Sequence, residues 1–237
     1  MSFIEVDNIT KTYGNADSMV TALENINFSI QSGEFISIMG ESGAGKSTLL
    51  SVMGAMNTPS QGRYIVDGLD VYSLSNEQQA DFRREYLGFV FQSFHLVVYL
   101  TVMENVMLPL TAIKISTRQK KEMAMEALRW VGLESKAKRL PNQISGGECE
   151  RVAVARAIVN NPPILLADEP TGNLDSRNSE EVMALLERLN ANGTTIITVT
   201  HSTTCAAYAR RTLHVADGRL DSRHIGVHPQ SASTKAA

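Results

Sequence analysis

The sequence has little cysteine, no excess of positive charge and no long uninterrupted apolar run. Of its 237 residues only Cys149 and Cys205 are cysteines, and their spacing fits neither a metal-ligand pair nor a disulfide framework. Lys and Arg number 22 against 25 Asp and Glu, so the formal net charge is -3. A protein that mainly neutralises nucleic-acid phosphates is usually basic. We therefore expect a reducing compartment and no nucleic-acid partner.

The longest uncharged stretch, residues 86–103, does not have the pattern of a membrane span. Gln92, Ser93 and His95 interrupt it, and Glu104 follows it at once. A strand, a loop and a short helix account for it better. The first ten residues also lack the basic-then-apolar profile of a secretion signal, so the sequence alone predicts a cytosolic protein.

Apolar runs predict the strands of a parallel sheet. Residues 35–39, 164–167 and 195–200 are almost wholly apolar or β-branched, as central strands are. Helical patterns at about 47–56 and 179–191 separate them, and strand, helix, strand at this spacing predicts crossover connections.

Three other regions have different patterns. Residues 3–6 and 26–30 alternate apolar and polar like half-buried strands, and residues 62–71 predict a strand and a turn. Residues 114–140 predict an amphipathic helical region, with eight basic against three acidic residues. That excess could face nucleic acid or anionic lipid, but a solvated helix face is the favoured interpretation.

From residue 222 the residues are small and polar and show no periodicity, so we expect one domain over 1–221 and a disordered tail over 222–237.

A phosphate-binding loop follows the first apolar strand. The pattern G-x-x-x-x-G-K-[ST] is matched by Gly40, Glu41, Ser42, Gly43, Ala44, Gly45, Lys46, Ser47 and Thr48. The glycines let backbone N–H groups turn toward a phosphate, and the helix that starts near Lys46 adds its positive end. Lys46 is predicted to reach the β- and γ-phosphates, and Ser47 to ligate Mg²⁺. A plain glycine-rich turn is the alternative, but a chance match has odds on the order of 1 in 100.

Two carboxylates follow the second apolar strand. We expect Asp168 to hold Mg²⁺ through its water shell and Glu169 to polarise the attacking water. The alternative is a strand end that turns polar on reaching solvent. Parallel sheets bind ligands at the carboxyl ends of their strands, which favours the catalytic interpretation.

A second glycine motif, Ser145-Gly146-Gly147, begins another amphipathic helix. Ser145 is predicted to cap that helix, and the exposed N–H groups there form a second anion site. A simple capping turn is the alternative. With this motif the chain resembles the ATP-binding subunits of ABC transporters, whose signature is L-S-G-G-Q, and the resemblance extends over about residues 3–220.

The resemblance implies a fold and two cofactors. The fold is α/β: a P-loop core with a parallel sheet, an N-terminal antiparallel β portion, and a helical subdomain inserted at about 87–160. ATP and Mg²⁺ are the implied cofactors. The catalytic residues are Glu169, His201 and Lys46, and the magnesium residues are Ser47, Gln92 and Asp168.

The resemblance also implies that two copies pair head to tail around two ATP molecules. Ser145, Gly146 and Gly147, with Glu148 beside them, would contact the γ-phosphate held by the other copy. Asp175 lies in a loop that crosses the interface. Tyr13 matches the aromatic residue that stacks on adenine, Gln92 the glutamine that senses Mg²⁺ and the membrane partner, and His201 the switch histidine on the γ-phosphate.

Within the family, the chain is most similar to the lipoprotein-releasing and macrolide-exporter type. The segments G-F-V-F-Q-S-F, A-D-E-P-T-G-N-L-D and V-T-H carry this likeness. It implies a permease with few transmembrane helices, a periplasmic adaptor reached through it, and a position on the cytoplasmic face of a bacterial inner membrane. The apolar run 94–100 predicts a permease contact at residues 89–105, with packing of the run into the local core as the alternative. The substrate stays open among lipoprotein, lipid, peptide and macrolide.

Several residues depart from the family pattern. Ile144 replaces Leu, Glu148 replaces Gln, and Ser202 stands where Asp usually follows the switch histidine. Cys149 and Glu150 are also unusual, and Glu148 with Glu150 is expected to leave two carboxylates close to the ATP interface.

Two other functions are alternatives. A soluble ABC ATPase of repair, translation or cluster assembly is the main one, but the chain has one cassette and no long coiled-coil or zinc insertion. A P-loop kinase would leave the Ser145-Gly146-Gly147 motif without a purpose.

Overall fold

Two sheets and seven α-helices form the described part of the chain. The computed structural model describes residues 2–14 and 18–221, and the backbone at 226–227. The strands are β1 (Ile4–Tyr13), β2 (Val20–Ile30), β3 (Phe35–Met39), β4 (Gln61–Val66), β5 (Leu69–Asp70), β6 (Leu87–Phe91), β7 (Ile164–Asp168), β8 (Thr195–Thr200), β9 (Arg211–Ala216), β10 (Arg219–Leu220) and β11 (Gly226–Val227). The helices are α1 (Lys46–Met53), α2 (Asn76–Tyr86), α3 (Val102–Met107), α4 (Thr117–Trp130), α5 (Gly146–Ile158), α6 (Ser176–Ala191) and α7 (Thr203–Ala206).

The N-terminal sheet is antiparallel, as predicted, with strand order β2-β1-β4-β5. Its inward residues, among them Ile4, Ile9, Leu23 and Ile26, are fully buried and pack in one cluster with α1. This packing fixes α1 between the two sheets, because the same cluster includes Ile38 of β3.

The second sheet is the predicted parallel core. Strands β9, β3, β8, β7 and β6 lie side by side in this order, and every neighbouring pair is parallel. The short strands β10 and β11 add antiparallel pairs to β9. All six residues of β8 are buried, which explains why its sequence shows no alternation.

The helical region lies between β6 and β7, at α3, α4 and α5. Its apolar faces pack on one another and on the parallel sheet through Val106, Leu128, Val152 and Leu165. The expected boundary of about 87–160 differs from the structure at its start. Residues 87–91 form β6, which pairs with β7 in the core sheet, so the helices begin only at Val102.

The predicted tail falls largely outside the described residues. Within it, Gly226 and Val227 pair with Thr212 and Arg211 as β11. Residues 86–103 contain the strand, the loop and the start of the short helix that the sequence predicts in place of a membrane span. None of the helices in the described ranges has the length and apolar composition that a bilayer crossing requires.

One buried side chain holds the loop between β6 and α3. The Asn105 side chain is fully buried; its carbonyl oxygen accepts from Val97 N at 2.8 Å, and its Nδ2 lies within 3.1 Å of the carbonyl oxygens of Val97, Leu100 and Thr101. A buried amide with this set of partners fixes the loop backbone, because each partner would otherwise lose its hydrogen bond away from water.

We expect Asn105→Ala to lower the free energy of unfolding by roughly 2 to 3 kcal/mol, since several buried backbone groups lose their partner. Asn192→Ala is the matched control, because that exposed amide donates only to Arg188 O; its effect should stay below about 1 kcal/mol. Denaturant unfolding measures both. Equal effects of the two substitutions would contradict the anchoring role.

Candidate active site

The predicted catalytic residues meet at one edge of the parallel sheet. Four adjacent strands end at the same level, since Phe91 pairs with Asp168, Asp168 with Val199, and Met39 with Thr200. The loops that follow them line one open cleft of about 650 Å³. Its lining residues are Ala22, Ser42, Gly43, Gly45, Lys46, Ser47, Thr48, Gln92, Asp168, Glu169 and His201.

Helix α1 presents an uncapped N-terminus to this cleft. Its N-cap is Gly45, which has no side chain to accept a hydrogen bond from the first turn. The other six α-helices in the described ranges begin at a side chain that caps them: Ser75, Thr101, Ser116, Ser145, Asp175 and Ser202. The first N–H groups of α1 thus remain free for an anion, which the positive helix end also attracts.

The loop before α1 needs glycine at two positions. Gly43 and Gly45 have φ of 82° and 103°, a region that other residues rarely adopt. A Cβ at Gly45 would also lie 2.4 Å from the carbonyl oxygen of Ala22. The loop is therefore pressed against β2, and the backbone of Ala22 sets its position.

Lys46 is buried inside the loop that precedes it. Its Nζ donates to the carbonyl oxygens of Gly40 and Glu41, both at 2.8 Å. An ammonium group has three N–H donors, so one remains for a phosphate. The backbone carbonyls of Gly40 and Glu41 therefore hold the Lys46 ammonium. Ala44 is buried, and its carbonyl oxygen accepts from Gly218 N.

Ser47 and Asp168 form an oxygen pair at the base of the cleft. Ser47 Oγ lies 3.4 Å from Asp168 Oδ1. Burial raises the pKa of Asp168, and the neighbouring Ser47 hydroxyl partly opposes this rise. A hydroxyl and a carboxylate beside a phosphate site are hard oxygen donors, which suit Mg²⁺ with its retained waters and phosphate ligands.

Glu169 directs its carboxylate into the cleft through an unusual backbone conformation. Its φ is 48°, in the left-handed region, while its N–H still donates to Val199 O at 2.8 Å. Glu169 Oε1 lies 2.8 Å from His201 Nδ1, and its side chain is only 14% exposed against 70% for His201. Strained conformations of this kind persist where the surrounding structure imposes them, and they cluster at active sites.

Gln92 begins a loop that two other segments hold. The backbone carbonyl oxygen of Gln92 accepts from Asn173 Nδ2 at 2.8 Å. Further along, the Arg156 guanidinium on α5 donates to the carbonyl oxygens of Phe94 and His95, each at 2.6 Å. Both of these residues have positive φ, so Arg156 stabilises a bend that neither would adopt readily. No sequence pattern indicates this role of Arg156 or the contact with Ala22.

The second glycine motif lies outside the cleft of its own chain. Ser145 Oγ accepts from Glu148 N, and the Glu148 carboxylate accepts from Ser145 N at 2.9 Å, a capping box. That bond and Lys136, whose Nζ lies 3.4 Å from the carboxylate, hold the pKa of Glu148 below its usual range. A Cβ at Gly146 would meet open space, whereas one at Gly147 would clash with Asn178.

Of the two carboxylates expected close to the ATP interface, Glu150 is buried. Its side chain is 1% exposed, so it presents no charge at the surface. Burial raises its pKa to about 8, and only Arg156 opposes this rise. Ser202, another departure from the family pattern, caps α7 by accepting from Cys205 N at 3.3 Å.

Two more predicted ATP contacts lie apart from the cleft lining. Tyr13, at the end of β1, is 43% exposed. Asp175 caps α6, where its carboxylate accepts from Asn178 N at 2.8 Å. Neither residue lines the cleft within this chain, and their roles as base platform and interface loop stay predictions.

Known proteins share this arrangement. The sequence profile of the ABC transporter family matches residues 23–172. The chain belongs to the ABC transporter family. It is the ATP-binding, ATP-hydrolysing cassette of a transporter, which confirms the predicted family, fold class and enzyme class.

The relatives include free-standing cassettes and longer proteins. The cassette is 43% identical to the uncharacterized ABC transporter ATP-binding protein MJ0796 of Methanocaldococcus jannaschii, over 92% of this chain and 95% of the relative. It is 42% identical to the macrolide export ATP-binding/permease protein MacB of Vibrio parahaemolyticus, over 99% of this chain. The match covers 36% of that MacB, so the cassette spans about a third of its length.

Solved structures agree in fold. The dimeric post-hydrolysis structure of MJ0796 bound to ADP and Pi has a TM-score of 0.87 at 40% identity, covering 96% of this chain and 99% of the other. The cbiO1 protein of Clostridium perfringens, part of the transporter complex cbiONQ, has a TM-score of 0.84 at 29% identity, covering 95% and 88% of the two chains.

Proposed function

We propose that this cassette hydrolyses ATP with Glu169 as the base that activates water, and that it works as a head-to-tail dimer that powers a permease. The observation that carries the catalytic part is the meeting of Asp168, Glu169 and His201 with the uncapped start of α1 in one cleft. Such a cleft has donors for a triphosphate at one side and a carboxylate for water at the other.

The groups of the cleft bind the phosphates, hold Mg²⁺ or take part in the attack of water. The free N–H groups of α1 and the remaining donor of Lys46 bind the β- and γ-phosphates. Ser47 and Asp168 hold Mg²⁺, with Gln92 beside them. The ion, when bound, neutralises charge on the phosphates. Glu169 accepts the proton of the attacking water, and His201, 2.8 Å from it, orients the carboxylate and reaches the γ-phosphate.

The dimer follows from the position of the second glycine motif. Ser145, Gly146 and Gly147 do not line this chain's own cleft, and the space at Gly146 is open. The capping box uses the N–H groups of Ser145 and Glu148, so a nucleotide in a second copy would be the anion for those of Gly146 and Gly147. The dimeric MJ0796 structures make this pairing the expected one.

A groove beside the Gln92 loop is the proposed permease site. It has a volume of about 670 Å³, and its lining includes the apolar Phe89, Phe91 and Leu108 as well as three arginines. Val98 and Tyr99 are 67% and 80% exposed, so the apolar run 94–100 is not packed wholly into the core. Exposed apolar side chains close in sequence to an apolar groove are typical of an interaction site.

The likeness to MacB supports the exporter or extraction type. We propose a permease with few transmembrane helices in a bacterial inner membrane, with the cassette on its cytoplasmic face and an adaptor on the far side. Macrolide, lipoprotein, lipid and peptide remain the substrate classes. The soluble ABC ATPase is the alternative, and the transporter relatives favour the permease-coupled function over it.

Glu169→Gln should keep ATP affinity and lower turnover about 100-fold or more, since an amide cannot accept the water's proton. Lys46→Ala should instead lose ATP binding, because the cation on the phosphates is gone. Steady-state phosphate release beside a nucleotide titration distinguishes the two. Wild-type turnover in Glu169→Gln would assign the base to another residue.

ATP should convert the Glu169→Gln cassette from monomer to dimer, and a further Ser145→Arg substitution should prevent it by filling the γ-phosphate site. Ser116→Arg is the matched control, because Ser116 caps α4 with the same capping box. Light scattering with and without ATP measures the mass. Dimerisation of the Ser145→Arg protein at the parent's ATP concentration would exclude the motif from the interface.

Val98→Glu and Tyr99→Glu should abolish co-purification with the permease from detergent-solubilised membranes, because a charge would be buried at the contact. Both variants should still bind ATP as the isolated subunit. Leu69→Glu is the control, since Leu69 is an exposed apolar residue on the antiparallel sheet. If the permease still co-purifies at wild-type levels, docking occurs elsewhere; if no membrane protein accompanies the wild-type chain, the soluble alternative gains.

A further inference from the structure

The ring of Tyr13 is held from two directions by residues with no assigned role. Asn57 Nδ2 donates to the Tyr13 hydroxyl, and it also lies 3.4 Å from Ser51 Oγ. The Lys11 ammonium lies over the ring, 5.0 Å from the ring centroid. A side chain that is 43% exposed would otherwise rotate among several conformations.

Lys11 covers one face of the Tyr13 ring. Its Nζ donates to Thr58 O at 2.7 Å, which keeps the ammonium in place. A cation above an aromatic face is attracted by the ring electrons and competes with a stacking partner for that side. Stacking by a planar ligand is therefore expected on the opposite face.

Asn57 can position the ring because its own backbone is fixed. Tyr72 Oη lies 2.9 Å from Asn57 O and 2.6 Å from Val52 O, and Arg83 Nη1 donates to Ala55 O at 2.7 Å. These contacts hold the turn that follows α1, in which Ala55 has a φ of 51°. The turn is thus a rigid support.

We propose that Asn57 is a positioning residue for the nucleobase: it fixes the Tyr13 ring so that the adenine of ATP stacks on the face opposite Lys11. The inference rests on the proposed ATP site, whose phosphate loop is at the other end of α1. One short helix therefore binds the phosphates at its start and, through the turn at its end, sets the platform for the base.

The test separates base contacts from phosphate contacts. In Asn57→Ala and in Tyr13→Phe, the Kd for ATP should rise roughly 3- to 10-fold, the range of one lost hydrogen bond. The Kd for inorganic tripolyphosphate, which has no base, should not change. The double variant should resemble either single variant, because both remove the same contact. Thr58→Ala, in the same turn but with its carbonyl kept, should bind ATP like the wild type.

Two results would overturn the inference. If both single variants bind ATP as the wild type does, Asn57 does not position the base platform. If Asn57→Ala weakens tripolyphosphate as much as ATP, the turn supports the phosphate loop instead. Either result leaves the proposed function intact as long as the wild-type chain hydrolyses ATP, whereas a wild-type chain that fails to bind ATP overturns both.

Discussion

The N–H groups at the start of α1 have no side chain to accept their hydrogen bonds, and the rest of the site depends on this. A helix start without a cap costs stability unless a ligand or water supplies the missing acceptor. These N–H groups have no cap because the N-cap residue, Gly45, has no side chain. For the same reason the loop can approach the backbone of Ala22 closely. The parallel strands then bring Asp168 and Glu169 to the same place, since their carboxyl ends share one edge.

The sequence predicted those parts of the fold and site whose physics is local. The phosphate loop depends on glycine spacing, and strands β3, β7 and β8 are buried on both faces, so short apolar runs identify them. The antiparallel strands were harder. β1 extends to Tyr13 and β2 begins at Val20, but register shifts interrupt their pairing, and positive φ at Asn8 and Asn25 breaks the alternation on which a strand prediction depends.

Other parts of the site could not be predicted because they depend on contacts between distant segments. Arg156 meets Phe94 62 residues away, and Asn57 meets Tyr13 across 44 residues. The burial of Glu150 is similar: its position beside the signature predicts a carboxylate close to the ATP interface, but the face of α5 on which it lies is turned into the protein. The sequence spacing does not show which face of a helix is buried when every face carries both polar and apolar residues.

Helix α5 begins just after its cap Ser145 and, three turns later, holds the backbone of Phe94 and His95 through Arg156. An α-helix is stiff over this length of about 16 Å, so its two ends move as one body. A displacement of the first turn would therefore be carried along the helix to the bend at Phe94 and His95, and so to the exposed Val98 and Tyr99 that follow it in the chain. The stiffness of one helix is thus enough to couple two surfaces of the cassette.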